Sequence, residues 1–176
     1  MKKQFIIFVV TFITTAAMAQ TAEEYFQKGS EAYRNERFTE ALPNLVKAGN
    51  LGHVSAQYIL GILYSKDNKE WGIKKNMQEC AKWWEKAANQ GMPEAQTRLG
   101  LCYNNGDGVP KNLQKAVYWY QKAAAQEFPE AQCLLASCYY DGVVVPKNEQ
   151  KALELFRKAA AQGQEEAKDF LKSIGK

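Results

Sequence analysis

The sequence predicts an all-α chain built as a solenoid of stacked helix pairs. Two observations carry this: a self-similarity that returns every 36 residues, and apolar positions within each unit that follow helical spacing. A third concerns the amino-terminal end, which reads as a leader and not as part of the fold.

The repeat is plain in the residues. Lys75-Asn76, Lys111-Asn112 and Lys147-Asn148 recur 36 apart, as do Lys86-Ala87-Ala88, Lys122-Ala123-Ala124 and Lys158-Ala159-Ala160. Ala95-Gln96 and Ala131-Gln132 continue to Ala167 at the same interval, and reach back to Ala56-Gln57 if three extra residues sit between Tyr64 and Asn76. Within a unit, Leu follows Ala by four residues and Tyr follows by eight: Ala56-Leu60-Tyr64, Ala95-Leu99-Tyr103, Ala131-Leu135-Tyr139.

Each unit reads as two helices. The first opens near Pro93 or Pro129, where a missing N–H costs nothing, and Glu94 or Glu130 suits the positive helix end. A loop such as Asn104-Asn105-Gly106-Asp107-Gly108 reverses the chain. The repeated asparagines then cap the second helix by accepting from its exposed N–H groups. Leu113, Ala116, Val117, Tyr120 and Ala124 form the apolar face of that helix. Gly52, Gly91 and Gly163 end the second helices in a left-handed turn, with Glu127 in that place once. Small residues (Ala95, Gly100, Ala116, Ala123) admit close approach and large ones (Leu99, Tyr103, Trp119, Tyr120) fill the remaining space. A single pair cannot cover its own apolar faces, so the pairs must stack.

At the start, Lys2-Lys3, the uncharged apolar stretch Phe5–Ile13 and Ala17-Met18-Ala19 have the layout of a secretory signal peptide over 1–19, cleaved after Ala19. The first cysteine is Cys80, so no acylation site adjoins the cut, and no second long apolar run follows. The expectation is a soluble protein of a bacterial periplasm or exterior, not an integral membrane protein. Without the two leader lysines the net charge falls from +4 to +2, which gives no argument for nucleic acid.

These motifs carry a resemblance. Ala-x-x-x-Leu-Gly-x-x-Tyr, then Gly-x-Gly-Val-Pro-Lys-Asn, then a helix ending Lys-Ala-Ala resembles the Sel-one-like repeat, a subclass of the tetratricopeptide superfamily. Residues 95–127 match best. Residues 131–163 depart at Ala136 and at Val144, where glycines belong, and 56–91 carry the loop insertion. Residues 22–52 look like an ordinary tetratricopeptide unit through Gly29, Ala41 and Ala48, and 165–174 like a lone capping helix whose Lys168, Asp169 and Lys172 face out. The resemblance implies a right-handed α/α superhelix over one domain, 20–176.

It also implies a concave face lined by non-core positions of the first helices. These are Phe26, Ser30, Tyr33 and Arg34, then Tyr58, Ile62, Ser65 and Lys66. The third unit adds Thr97, Leu101, Asn104 and Asn105, and the fourth adds Cys133, Ser137, Tyr140 and Asp141. Aromatic anchors among amide and hydroxyl groups suit an extended peptide or a helix. Phe26 and Tyr33 stand equally as cover for the amino-terminal core.

Catalytic groups do not gather in the sequence. The lone histidine, His53, aligns with Met92, Phe128 and Gln164 and reads as a solvated linker residue. No metal-ligand spacing occurs, and Ser173-x-x-Lys176 stands at the chain end without companion motifs. No catalytic residue, metal or cofactor is expected. Cys80, Cys102 and Cys138 occupy core-facing places. Cys80 and Cys102 lie eleven residues on either side of Gly91, so an antiparallel pair turning there sets them roughly opposite. A Cys80–Cys102 disulfide is one reading, and small buried apolar residues the other. Cys133 and Cys138 point to different sides of one helix. The lysine rows read as a solvated surface.

The expected function is an exported adaptor holding a protein or peptide partner of the bacterial envelope, with a monomer compatible. The rivals are a cell-wall or β-lactam-interacting protein, after the cysteine-rich Sel-one-like branch, and a self-assembling structural element.

Overall fold

The computed structural model describes residues 2–175, with side chains from residue 17 onward. The leader expected over 1–19 therefore lies, up to residue 16, outside the described side chains. Ala17, Met18, Ala19 and Gln20 are exposed, and Ala22 is the first buried residue described. Among the described residues no helix is long and apolar enough to cross a membrane.

Among the described residues the regular secondary structure is helical, with one isolated β-bridge in a loop, so the all-α expectation holds. The chain divides into two compact units, 1–86 and 87–176. The first contains α1 (Lys2–Arg34), α2 (Phe38–Asn50), α3 (Val54–Tyr64) and most of α4 (Met77–Asn89). Its core joins Ala41, Leu45 and Ala48 of α2 to Ala56, Leu60 and Leu63 of α3, with Trp71, Ile73 and Trp83. The second holds α5 (Pro93–Asn105), α6 (Leu113–Ala124), α7 (Pro129–Asp141), α8 (Glu149–Ala161) and α9 (Glu165–Ser173), each packed on the next. At its end Phe170 of α9 stacks on Phe156 of α8, with ring centroids 4.1 Å apart.

The same local chemistry builds each pair. Tyr64 O accepts from Asn76 N, Tyr103 O from Asn112 N and Tyr139 O from Asn148 N, all at 2.8 Å, closing the loop between paired helices. The asparagine side chain then caps the second helix. Asn76 Oδ1 accepts from Glu79 N at 3.0 Å, and Asn112 and Asn148 accept from Lys115 N and Lys151 N at 2.9 Å. Buried glutamines tie each first helix to the preceding turn: Gln57 Nε2 donates to Gly49 O at 2.9 Å and Gln96 Nε2 to Ala88 O at 3.2 Å. Gln162 Nε2 bridges Gln132 Oε1 and Glu127 O, both at 3.0 Å. These amides satisfy carbonyls that the ends of the second helices leave open.

Two positions depart from the repeat in side chain but not in backbone. Glu127 adopts φ +62° where Gly91 has +96°, and Val144 adopts +66° where Gly108 has +72°. The turn geometry is imposed by the repeat, and the residue at each place accepts strain.

His53 differs from its reading as a solvated linker. It is the N-cap of α3, its Nδ1 accepting from Ala56 N at 3.2 Å while its Nε2 lies 2.9 Å from Glu23 Oε2. Phe26 stacks on the imidazole with centroids 4.0 Å apart. The aligned Met92, Phe128 and Gln164 stand at the N-caps of α5, α7 and α9, and their side chains accept no hydrogen bond from the helix backbone. Apolar or amide residues at the equivalent places concealed what a ring nitrogen adds here.

Candidate functional site

The first unit holds a cleft of about 380 Å³ between α1, α2, α3 and the loop that joins α3 to α4. That loop carries the insertion, and its fold explains the cleft. Asn68 and Ile73 exchange backbone hydrogen bonds at 2.8 and 2.9 Å, and Asp67 Oδ1 accepts from Lys75 N at 2.9 Å. Asn68 Nδ2 ties the turn back to Leu63 O at 3.2 Å. The hairpin carries Trp71 and Ile73 into the core. Trp71 meets Phe38 at 5.3 Å and Tyr33 at 5.6 Å, and Tyr33 meets Phe38 at 6.0 Å, so three rings form one wall. Ile59, Ile62 and Leu63 of α3 form the other, with Ser30, Lys66, Asn68 and Glu70 as polar groups around them.

A smaller cleft of about 180 Å³ lies within the second unit. Asn104 of α5 and Ser137 and Asp141 of α7 supply its polar groups, and Tyr120, Leu134, Cys138 and Val143 the rest. Burial pushes the Tyr120 phenol far above its ordinary range, with Cys138, Cys102 and Glu130 adding to the effect. Its ring lies over Gly100, where an added Cβ would stand 2.5 Å from Cε1.

The residues expected on one concave face thus sort into several places. Ser30, Tyr33, Ile62 and Lys66 come together in the first cleft, and Asn104, Ser137 and Asp141 in the second. Phe26 is taken by His53. Arg34 is exposed at the end of α1 and does not line the cleft. Tyr58 is half-buried, its carbonyl accepting from Trp84 Nε1 at 3.3 Å, and Ser65 donates to Ile62 O at 2.7 Å. Leu101 is half-buried, and Asn105 is exposed, bridging Asn104 and Asp107.

Thr97 does not belong to an open face. It is wholly buried and its hydroxyl donates to Pro93 O at 2.8 Å. The helix α5 hides seven of its thirteen residues, leaving little of it for a partner. Tyr140 is half-buried with its ring against the edge of Phe170 at 5.0 Å, so it and Cys133 serve the carboxyl-terminal cluster.

Phe38, Ile59, Asn68, Glu70 and Trp71 were not among the expected residues. The signal for the last was present: Trp71 and Ile73 flank Gly72 in an otherwise polar, lysine-rich loop. An apolar pair about a turn glycine marks a hairpin that folds inward.

The cysteines are placed as follows. Cys80 is buried in α4 within the first unit and Cys102 is buried in α5 within the second. Cys133 and Cys138, on α7, are half-buried free thiols. Burial pushes Cys133 up to about 11, with Glu166 and Glu130 adding to it, and burial followed by Asp141 pushes Cys138 up. Among the described residues no group of three or more histidine, cysteine, aspartate or glutamate side chains is placed to hold a metal ion.

The Sel1 repeat family model matches residues 54–92, 93–128 and 129–164, well over half the chain. The chain belongs to the Sel1-repeat family. The matched segments hold the pairs α3–α4, α5–α6 and α7–α8, while α1 and α2 precede them. Four walls of the first cleft, Ser30, Tyr33, Phe38 and Leu45, therefore lie outside the matched Sel1 repeats. A Sel1 repeat protein from Oxalobacter formigenes is 34% identical, with a TM-score of 0.71 over 81% of this chain and 57% of its own. The antigen c5321, a protective antigen of uropathogenic Escherichia coli strains with the same repeat fold, is 26% identical, with a TM-score of 0.77 over 92% of this chain and 36% of its own. Cysteine-rich protein B of Helicobacter pylori is 30% identical, with a TM-score of 0.57 over 77% of this chain and 95% of its own. The chain thus spans 57% and 36% of the first two Sel1 structures. No curated protein matches the sequence.

Proposed function

We propose that this Sel1-repeat chain is an exported, non-enzymatic adaptor that binds a protein or peptide partner, and that the cleft of the first unit is where the partner docks. One observation carries the reading. Tyr33 and Ile62 are 54% and 37% exposed, and both line this cleft beside the buried Trp71. Isolated exposed apolar residues are ordinary, but two facing one aromatic-walled hollow mark a place where a partner can bury area. A volume of about 380 Å³ suits one or two anchoring side chains of a peptide. Export is supported by the leader pattern of residues 1–19, and the bacterial envelope follows as the setting.

The test is recovery of envelope proteins by the immobilised mature chain, compared with Tyr33→Ala and Ile62→Ala. Both side chains are exposed, so the variants keep the fold, which circular dichroism checks. Loss of the same proteins from both variants supports the cleft. Equal recovery by wild type and variants rules it out.

A further inference from the structure

We propose that the cleft of the second unit takes the side chain of an arginine presented by a protein or peptide. The proposal does not depend on the first cleft, whose lining carries both Lys66 and Glu70 and so has no net sign. In the second cleft Asp141 is the only charged residue of the lining. Its polar neighbours there already donate within their own helices. Asn104 Nδ2 donates to Asn105 Oδ1 at 2.9 Å and Ser137 Oγ to Cys133 O at 3.2 Å, so an oxygen of each remains to accept. The helix α5 ends at Asn105 and α7 at Asp141, which sets the cleft beside two carbonyl ends of partial negative charge. Carboxylate, acceptors and helix ends all favour a cation.

Asp141 is also the wrong sign for its own helix. A carboxylate in the last turn meets carbonyls of like sign, and the place one repeat earlier holds the neutral Asn105. The chain's own Lys147 does not fill the cleft: its ammonium is held chiefly by Glu149, at 2.8 Å, with Asp141 a lesser influence, and it lies outside the lining. Size and shape name the occupant further. A volume of about 180 Å³ holds one side chain and not a whole small molecule, and Leu134 and Val143 give apolar surface for a methylene stem. A lysine would bring one compact charge. The planar guanidinium brings five N–H donors in a fork, able to meet a carboxylate and separate oxygens together. Because Asp141 is exposed, water screens the pair, and the contact adds specificity to an interface more than raw affinity.

The experiment titrates the full mature chain, labelled with nitrogen-15, with N-acetyl-arginine N-methylamide and reads backbone amide shifts by NMR. The citrulline and lysine counterparts are the controls, since citrulline keeps the shape of arginine without its charge. The arginine probe should give saturable shifts at Asn104, Ser137, Asp141 and Val143, weakened as salt is raised. Citrulline should bind about tenfold more weakly, and lysine severalfold more weakly. Asp141→Asn should lose about tenfold for arginine and little for citrulline. The variant removes a charge that the end of α7 disfavours, so it keeps its fold, and its unchanged amide spectrum elsewhere checks this. Citrulline binding as tightly as arginine, lysine binding more tightly, or full binding by Asp141→Asn each overturns the proposal. So do shifts scattered over exposed carboxylates with none concentrated at these four amides, which would mark a general attraction of cations. None of these outcomes touches Tyr33 or Ile62, so the docking reading of the first cleft stands or falls separately.

Discussion

The indole of Trp84 occupies the space that a side chain on Gly61 would need, and its Nε1–H is held by Tyr58 O at 3.3 Å. The absence of a Cβ on α3 is what lets α4 lie against it. The relationship recurs with graded sizes, since Tyr120 lies over Gly100 and Phe156 shares a core with Ala136. Where the aromatic is smallest, the facing residue gains a methyl. Gly61→Ala is therefore expected to lower stability by about 1–3 kcal/mol, as overpacking does when the neighbour is pinned. Gly100→Ala should act in the same direction and Ala136→Gly should cost less, about 0.5–1 kcal/mol. Urea unfolding midpoints of the three variants give the ranking, and a neutral Gly61→Ala would contradict the packing.

Val144 offers the opposite case. It is 43% exposed, so its side chain adds little packing, yet it holds φ +66°. A β-branched residue in the left-handed region costs on the order of 1–3 kcal/mol, partly offset by the greater freedom that glycine loses on folding. Val144→Gly, which restores the residue found at the equivalent Gly108, is expected to stabilise by about 0.5–1 kcal/mol. Val144→Ala should give less. A fall in thermal midpoint for Val144→Gly would show that this side chain has a contact worth more than the strain.

The repeat was legible because its turns and caps are made of residues with few alternatives. Asn76, Asn112 and Asn148 each sit where a helix needs an acceptor, and Gly91 and Gly163 where it needs a positive φ. Their spacing alone locates the helix pairs. The site was less legible because it lies where the repeat is broken. The insertion between Tyr64 and Asn76 has no counterpart to align with, so Trp71 had no register to assign it a face. Thr97 shows the opposite failure. Its face was inferred from repeat landmarks, but α5 is covered on so many sides that position alone does not decide exposure. His53 was misread because its three aligned residues use no side-chain cap, and a long-range partner such as Glu23, 30 residues away, leaves no local pattern.

His53 supplies a further prediction. Its ring joins three elements of local structure: the N-cap bond to Ala56 N, the Glu23 carboxylate and the Phe26 ring. His53→Ala removes all three and should cost about 1–2 kcal/mol, the usual loss for a cap plus some ring contact. His53→Asn keeps an acceptor for Ala56 N–H but not the stack, so it should recover part of that loss. The two denaturation midpoints separate cap from stack. Equal midpoints for His53→Ala and wild type would return this residue to the solvated linker first expected.

The thiols of α7 give a pH-dependent outcome. Burial raises Cys133 to about 11 from 9.0 and raises Cys138 in the same direction, so both stay neutral where an ordinary thiol has begun to ionise. Because the thiolate is the nucleophile, Cys133 should be alkylated at pH 8 about a hundredfold more slowly than a free cysteine, and its rate should climb until pH approaches 11. The sign for stability follows. A folded value above the unfolded one means the neutral thiol favours the fold below pH 9, and that contribution is lost between pH 9 and about 11. Peptide mapping after timed iodoacetamide labelling measures the rates residue by residue. Rapid labelling of Cys133 at pH 8 would mean that α7 opens, or that the carboxyl-terminal cluster does not cover it. The same map, made on chain denatured without reductant, decides the Cys80–Cys102 bridge proposed from the sequence: labelling confined to Cys133 and Cys138 supports it, and labelling at Cys80 and Cys102 removes it.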